Sequence, residues 1–439
     1  MKRLGPIPLD IRTILIAGLL IRLAICPFFA DSNDFPYWTS VVFDIKQGDG
    51  LYQDYDLWYP PVWGYVLSML LPFMDLFNIS PSMELCEAIP GTNNLINEGW
   101  LPSIGAIVII KMPLIAADIA NGYLVYRIAK RITDDEDKSL MAAMLWTFCP
   151  LTIWVSAGQG QFETLSLLFV LIGTYALLSG SYFLCGISMA TATLTKIAPS
   201  LAIFPMLALI LVNRKDRENR TKNAAVFLLS GMLMTFVILL PHLINGEMQF
   251  VTSFLGVRLI GHNPLPTGFD GSLMMAFDPM RYINPSGSNV SAFSAVSFLL
   301  CLILTVFILA KKRFTEKQTV LLISACMCSL LMWITAPGYV QYYVTVVGVL
   351  AVCYVFDRRF GYLVWAVAAL AMISMFATFT HAYPLIELGL IDAESLIGVY
   401  DAIKETMYFP EMVSTTLKFV PVLIAVYLAV KMSTEVEDE

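Results

Sequence analysis

One acidic and aromatic segment near the start of the chain holds the residues best suited to chemistry. Residues 31–61 contain six aspartates and one lysine, the aspartates being at positions 31, 34, 44, 49, 54 and 56. Phe35, Tyr37 and Trp38 follow Asp34, so its carboxylate is expected to be partly desolvated and to bind a proton more tightly. Such a carboxylate could act as a general base towards a hydroxyl group. The other five aspartates are interpreted as charges of a solvated loop.

The same segment contains fixed bends. Gly48-Asp49-Gly50-Leu51-Tyr52 is followed by Tyr59-Pro60-Pro61, and an apolar run begins directly after it. Two prolines before a helix fix the direction in which the chain enters it. We expect this arrangement to hold Tyr59 beside the candidate site.

A second polar patch lies between two apolar stretches, at Gly158-Gln159-Gly160-Gln161-Phe162-Glu163. Glycines permit close approach of the backbone, so Gln159, Gln161 and Glu163 are candidate binding residues. The alternative is a tight polar turn that only connects two helices.

Ionisable residues within or beside apolar stretches form a third set. They are costly in lipid and mark either function or a specific pair. Lys196, Arg258 and His262 are candidate partners of a phosphate group. Lys111 and Asp118 lie on one helix face and form a second tier, with pairing to neighbouring helices as the alternative. Gln341, Tyr342 and Tyr343 are interpreted as aromatic and polar residues of the membrane interface.

The elements that must position these residues are membrane helices. Hydrophobic residues make up 58% of the 439 residues and charged residues 14%, whereas soluble proteins have roughly a quarter of their residues charged. The sequence predicts an all-α integral membrane protein of about 12 (11–13) transmembrane helices. The predicted spans are 12–30, 102–129, 139–157, 164–180, 182–196, 198–213, 223–244, 290–311, 318–335, 338–356, 360–380 and 415–431.

Basic residues in short loops predict the orientation. They place both termini in the cytoplasm and three long segments outside: 31–101, 245–289 and 381–413. The apolar segment 62–79 would break this parity if it crossed, so we interpret it as a juxtamembrane or re-entrant helix of the first external loop. The alternative is that 182–196 or 198–213 does not cross. No segment outside the membrane is large enough to fold alone, so residues 1–439 are predicted to form one integral membrane domain.

Several classes are disfavoured by composition. There is no basic stripe for nucleic acid, and neither the cysteines nor the three histidines have metal-ligand spacing. We therefore expect no required metal or other cofactor, and a monomer.

In order and spacing, these motifs resemble the GT-C superfamily of polyprenyl-phosphate-sugar-dependent glycosyltransferases. GPI mannosyltransferase I and the dolichyl-phosphate-glucose and dolichyl-phosphate-mannose enzymes are the most similar groups. The matching stretches cover roughly residues 12–213: Asp34 to Pro61, Lys111-Met112-Pro113 with Ala117-Asp118, Trp146 to Pro150 leading to Gly158–Glu163, and Thr193 to Pro199.

The resemblance implies a catalytic module in 1–213, which includes loop 31–101, and a variable transmembrane module in 214–439. It implies that Asp34 is the base of an inverting transfer of a hexose, mannose or glucose, from a polyprenyl- or dolichyl-phosphate donor. The acceptor would be a lipid-linked glycan, a glycolipid or a protein outside the cytoplasm. A multi-spanning transporter or flippase of lipid-linked sugars is the alternative, and a membrane subunit without catalysis is a third.

Overall fold

The computed structural model describes most of the chain. The described residues are 3–4, 7–8, 10–31, 34–52, 57, 59–79, 102–196, 198–212, 217–247, 302–310, 314–334, 340–375, 382–417 and 419–434.

The first half of the described chain folds into ten α-helices. They are α1 (Ile11–Ile25), α2 (Asp34–Gln47), α3 (Pro61–Leu76), α4 (Ile104–Thr133), α5 (Glu136–Thr147), α6 (Pro150–Ile153), α7 (Glu163–Leu178), α8 (Tyr182–Thr195), α9 (Ile203–Val212) and α10 (Arg220–Ile244). A π-helix (Trp154–Gln159) continues α6, and two 3₁₀ helices (Ala198–Ala202 and Arg217–Asn219) precede α9 and α10.

The second half adds seven helices in the described residues. They are α11 (302–310), α12 (Glu316–Ile334), α13 (Tyr343–Cys353), α14 (Arg359–Met375), α15 (Pro384–Glu387), α16 (Ala393–Leu417) and α17 (Phe419–Thr434), with a 3₁₀ helix (Val340–Tyr342) before α13. Two antiparallel strands, β1 (Arg3–Leu4) and β2 (Ile7–Pro8), pair at the N-terminus. Apart from this pair of strands, the all-α prediction is confirmed in the described part of the chain.

Helices α4 and α10 are each long and apolar enough to cross a membrane, and α5 with α6 and the π-helix forms a third candidate span bent by 49°. Shorter apolar helices accompany them, including α3, α7, α8, α9, α13, α14 and α17. Large apolar side chains of α10 are exposed, among them Leu229 (61%) and Ile244 (73%). An apolar surface of this kind is suited to contact with lipid, in agreement with a multi-pass membrane protein. The count of twelve spans stays a prediction.

Helix α4 organises the first half of the bundle. It begins at Ser103, whose Oγ accepts a hydrogen bond from the Ala106 backbone N–H at 3.2 Å, the usual role of a serine at a helix start. It packs against α1, α3, α5, α7 and α13. Helix α4 also contacts the π-helix, so together with its contact to α7 it lies against both sides of the polar patch 158–163.

The bend after α5 has a local cause. Phe148 ends α5, and Pro150 starts α6 because proline is tolerated in the first turn of a helix but interrupts a continuous one. The chain then loosens into the π-helix and stops at Gly160, which has φ +77°. π-Helical turns are rare and frequent at functional sites. This bend brings the polar patch 158–163 to one end of α4.

Two predicted loops contain helices. Segment 62–79 corresponds to α3, whose 16 residues span about 24 Å at 1.5 Å per residue, less than the roughly 30 Å of hydrocarbon in a bilayer. Helix α7, which lies in the predicted span 164–180, has the same length, so the juxtamembrane or re-entrant interpretation of α3 stays a prediction. The segment 381–413, predicted as a loop, contains α15 and most of the 25-residue α16. Its mixed polar and apolar sequence lacks the continuous hydropathy on which the span prediction relied.

Candidate functional site

The site begins where the chain leaves α1. The Asp31 backbone N–H donates to the Gln159 carbonyl at 3.1 Å, which joins this segment to the end of the π-helix. Asp31 Oδ1 accepts from the Asp34 backbone N–H at 2.9 Å and so caps the start of α2, a position that favours a carboxylate. These two contacts fix the position of Asp34, the first residue of α2.

Asp34 is partly exposed and is held by the second polar patch. Gln161 Nε2 donates to Asp34 Oδ2 at 2.5 Å. The pKa of Asp34 is raised to about 7 as the net result of several influences: burial and the neighbouring Asp31 carboxylate raise it, the Gln161 hydrogen bond and Lys196 lower it, and Glu163 raises it. Desolvation disfavours the charged form of a carboxyl group. Asp34 is thus a partly exposed residue whose pKa lies near neutral pH.

Lys196 and Glu163 form a buried ion pair beside Asp34. Lys196 Nζ also lies over aromatic rings, 4.0 Å from the centroid of Tyr342, 5.0 Å from Phe162 and 6.0 Å from Tyr59. Such rings stabilise a cation that has lost water. Oε2 of Glu163 is buried and has no hydrogen-bond partner in the part of the chain that the structure describes. The pair therefore places a cation, enclosed by aromatic rings, next to the candidate base.

Phe162 anchors the polar residues on either side of it. It is fully buried, stacks on Trp63 with ring centroids 5.3 Å apart, and contacts Trp38 and Tyr59 at 5.9 and 4.9 Å. Trp38 is on α2 and Trp63 on α3. Aromatic packing of this type is geometrically specific, so it fixes Gln161 and Glu163 relative to Asp34.

Gly160 is required by the close approach of the two site segments. Its φ of +77° is a left-handed conformation, and a Cβ at this position would lie 2.3 Å from the ring of Phe35. Only glycine avoids both costs. The predicted close backbone approach in the second patch is therefore observed at Gly160.

Lys111 lies beneath the site, fully buried in α4. Its ammonium donates to the backbone carbonyls of Cys26 at 3.0 Å, Ala157 at 2.8 Å and Gly158 at 2.9 Å, and to that of Phe29. All four acceptors are backbone atoms, so in this structure Lys111 holds the chain and does not reach the Asp34 side chain by a direct hydrogen bond.

Asp118 belongs to a separate buried network. Its Oδ2 accepts from Arg22 Nε at 2.6 Å and from Ser156 Oγ at 2.5 Å, and both partners of the ion pair are fully buried. Arg22 also donates to the Thr147 carbonyl at 2.9 Å and to Thr152 Oγ1 at 3.2 Å. This is the pairing with neighbouring helices that the sequence left open for Asp118.

The structure brings together most of the residues that the sequence singled out. Asp34, Tyr59, Gln161, Glu163 and Lys196 share one site, and Gln159 joins it through its backbone carbonyl. Arg258 and His262 lie outside the described residues.

Three residues of the site were missed or misjudged. Tyr342 was interpreted as an interface aromatic, but its ring lies directly over Lys196. Asp31 was assigned to a solvated loop, but it is buried and caps α2. Tyr383, immediately before α15, is buried in the same apolar cluster as Ala30, Phe35 and Trp38, and burial together with Asp31 and Glu387 raises its pKa well above the usual range. The only available signal was the position of Tyr383 in the predicted external segment 381–413 and of Tyr342 near the start of the predicted span 338–356.

The described residues contain no group of three or more His, Cys, Asp or Glu side chains placed to hold a metal ion. Absence of a required metal stays a prediction.

Comparison with known proteins gives two similarities. The profile of the family described as GPI transamidase subunit PIG-U matches residues 70–267, less than half of the chain. The chain is also similar to ArnT from Cupriavidus metallidurans, solved as a crystal structure bound to undecaprenyl phosphate, with 15% sequence identity and a TM-score of 0.48. That similarity covers 96% of this chain and 77% of the ArnT chain. No curated protein matches the sequence.

Proposed function

We propose that this chain is a membrane glycosyltransferase that moves a hexose, mannose or glucose, from a polyprenyl- or dolichyl-phosphate donor to a hydroxyl of a glycan, glycolipid or protein. One observation carries the proposal: Asp34 is a partly exposed residue whose carboxyl group has a pKa of about 7 and lies beside a buried lysine. A general base works best when its pKa is near the working pH. The order of the motifs in residues 12–213 supports the same reaction class.

In this reaction Asp34 accepts the proton of the acceptor hydroxyl. The hydroxyl oxygen forms a bond to the anomeric carbon of the donor sugar from the face opposite the phosphate. The bond between that carbon and the phosphate oxygen breaks, and its electron pair stays on the polyprenyl phosphate. The products are the glycosylated acceptor with inverted configuration, the lipid phosphate and a protonated Asp34.

Lys196 is assigned to the departing phosphate. A phosphate is a stable leaving group, so a fixed positive charge assists it without proton donation. Glu163 holds Lys196 until the donor arrives, and the rings of Tyr342, Phe162 and Tyr59 keep the ammonium in place. Because the donor carries a long apolar tail, a site built between membrane helices suits it.

The test is transfer by the purified protein, with lipid-phosphate mannose and lipid-phosphate glucose as donors. We expect Asp34→Asn to abolish transfer while leaving the thermal transition intact. Asp75→Asn is the matched control, because Asp75 is an exposed aspartate whose carboxylate pairs, among the described residues, with the exposed Lys46. Normal turnover by the Asp34→Asn protein would refute the mechanism.

The match to the transamidase-subunit family supports a second candidate, a membrane subunit without catalysis. Such a subunit would have no need for an ionisable Asp34, so the Asp34→Asn protein would support glycan synthesis in cells as well as the wild type. Comparison by mass spectrometry of glycans from cells with the wild-type protein and cells with the Asp34→Asn protein separates the candidates, because loss of the base predicts a glycan shortened by one hexose.

A transporter or flippase would instead move labelled lipid-linked sugar across the membrane of vesicles without hydrolysing or transferring it.

A further inference from the structure

The contacts of Lys111 carry an inference beyond the transfer reaction. Its four carbonyl partners come from two parts of the chain: Cys26, which caps the end of α1, with Phe29 three residues further on, and Ala157 with Gly158 at the end of the π-helix. An ammonium has three protons, so one of them is shared between two carbonyls. Lys111 is therefore the point at which these two segments are joined.

Both segments end with carbonyl groups directed at the same place. The last carbonyls of a helix lack partners within it and carry partial negative charge. Two such ends facing one another in a buried region repel unless a cation lies between them. The ammonium of Lys111 occupies that position, and its side chain passes within 5.4 Å of the ring centroid of Phe35, the residue next to Asp34.

The candidate reactive groups directly follow the same two segments in the chain. Asp31 and Asp34 follow Phe29, and Gln159 and Gln161 follow Gly158. The backbone hydrogen bond from Asp31 to Gln159 and the side-chain hydrogen bond from Gln161 to Asp34 join the same two segments that Lys111 joins.

We propose that Lys111 is a positioning residue whose ammonium holds the α1 and π-helix ends together and thereby sets the hydrogen bond between Gln161 and Asp34. It touches no reacting atom, and its effect passes through the backbone. This inference rests on the proposed function only for its consequence on turnover, because the structural link stands without it.

The experiment measures the titration of Asp34 by infrared difference spectroscopy, which needs no turnover. The carboxyl band is assigned by its loss in Asp34→Asn. The groups that face Asp34 are Asp31, Gln161, Lys196 and Glu163, and the Gln161 hydrogen bond is one that lowers its pKa. Loss of that bond should therefore shift the titration of the carboxyl group upward.

We expect Lys111→Met and Gln161→Ala each to raise the midpoint by the same amount, and the double variant to raise it no further. Ile128→Ala is the control, because Ile128 is a fully buried apolar residue of α4 that lies 17 positions from Lys111. It should reduce stability and leave the midpoint unchanged. Additive shifts, or a wild-type midpoint in Lys111→Met, would overturn the proposal.

A second variant, tested by chemical rescue, separates loss of the ammonium from failure to fold. Lys111→Ala removes the side chain beyond Cβ, and propylammonium supplies the missing atoms. We expect propylammonium, but not propanol, to restore the wild-type midpoint. In the transfer assay kcat should fall roughly 100-fold, the scale expected for misplacement of a catalytic group, with little change in donor KM. A wild-type protein that shows no transfer, together with the predicted titration shifts, would refute the proposed function and leave the role of Lys111 intact.

Discussion

The pH dependence of transfer tests the assignment of Asp34 most directly. Only the carboxylate form can accept a proton, so the rate should follow its ionised fraction. With a pKa of about 7, that fraction is about 9% at pH 6 and about 91% at pH 8. The rate should therefore rise about tenfold across these two pH units and level off above them. An aspartate with its usual pKa, about 3.9, would be almost fully ionised at pH 6 and would give a flat profile.

The assay is the initial rate of hexose transfer at saturating donor and acceptor, measured between pH 5.5 and 8.5 in one mixed buffer of constant ionic strength. The phosphodiester of a lipid-phosphate-sugar donor does not titrate in this range, so the acid limb reports on the protein. Thermal transitions recorded at each pH exclude unfolding as the cause of the loss at low pH. A flat profile between pH 6 and 8, or activity that rises as the pH falls, would refute the reasoning.

Two further predictions concern the buried charges. Lys196→Ala should lower kcat for transfer by roughly 100-fold or more, the scale seen when a group that stabilises developing negative charge is removed. Lys196→Arg should retain part of the rate, and Lys46→Ala, a change at an exposed lysine, should leave kcat unchanged. An unchanged kcat in Lys196→Ala would contradict the assigned role. Asp118→Asn should destabilise the protein by about 3–5 kcal/mol because it leaves Arg22 as an unpaired buried charge, measured by thermal or denaturant unfolding in detergent. The double change Arg22→Met with Asp118→Leu should recover most of that loss, and a single variant as stable as the wild type would show that the pair contributes little.

How much of the site could be read from the sequence depends on how each residue is positioned. Asp34 and its aromatic neighbours are adjacent in the chain, so their proximity and the resulting desolvation were predictable. Gln161 and Glu163 were recognisable as a polar patch between apolar stretches. Their distance to Asp34 was not predictable, because it depends on the bend after α5 and on the stacking of Phe162 against Trp63.

The buried ionisable residues show the limit most clearly. The sequence identified Lys111 and Asp118 as costly in lipid and left their partners open. Asp118 pairs with Arg22, 96 positions away, and Lys111 binds carbonyls that no side-chain pattern reveals. Arg22 itself was counted as part of an apolar span, since a single charge hardly changes the mean hydropathy of a long stretch.

The sequence alone determined that the chain is helical and apolar along its length, because the need to satisfy backbone hydrogen bonds in lipid acts on each segment separately. It also determined that a carboxyl group at position 34 would be desolvated by its own neighbours. The tertiary structure decided that Asp31, Tyr342 and Tyr383 join the same region and that Lys111 supports it from below. These relations depend on how distant helices pack, and hydropathy, which is a property of neighbouring residues, carries no information about which distant surfaces meet.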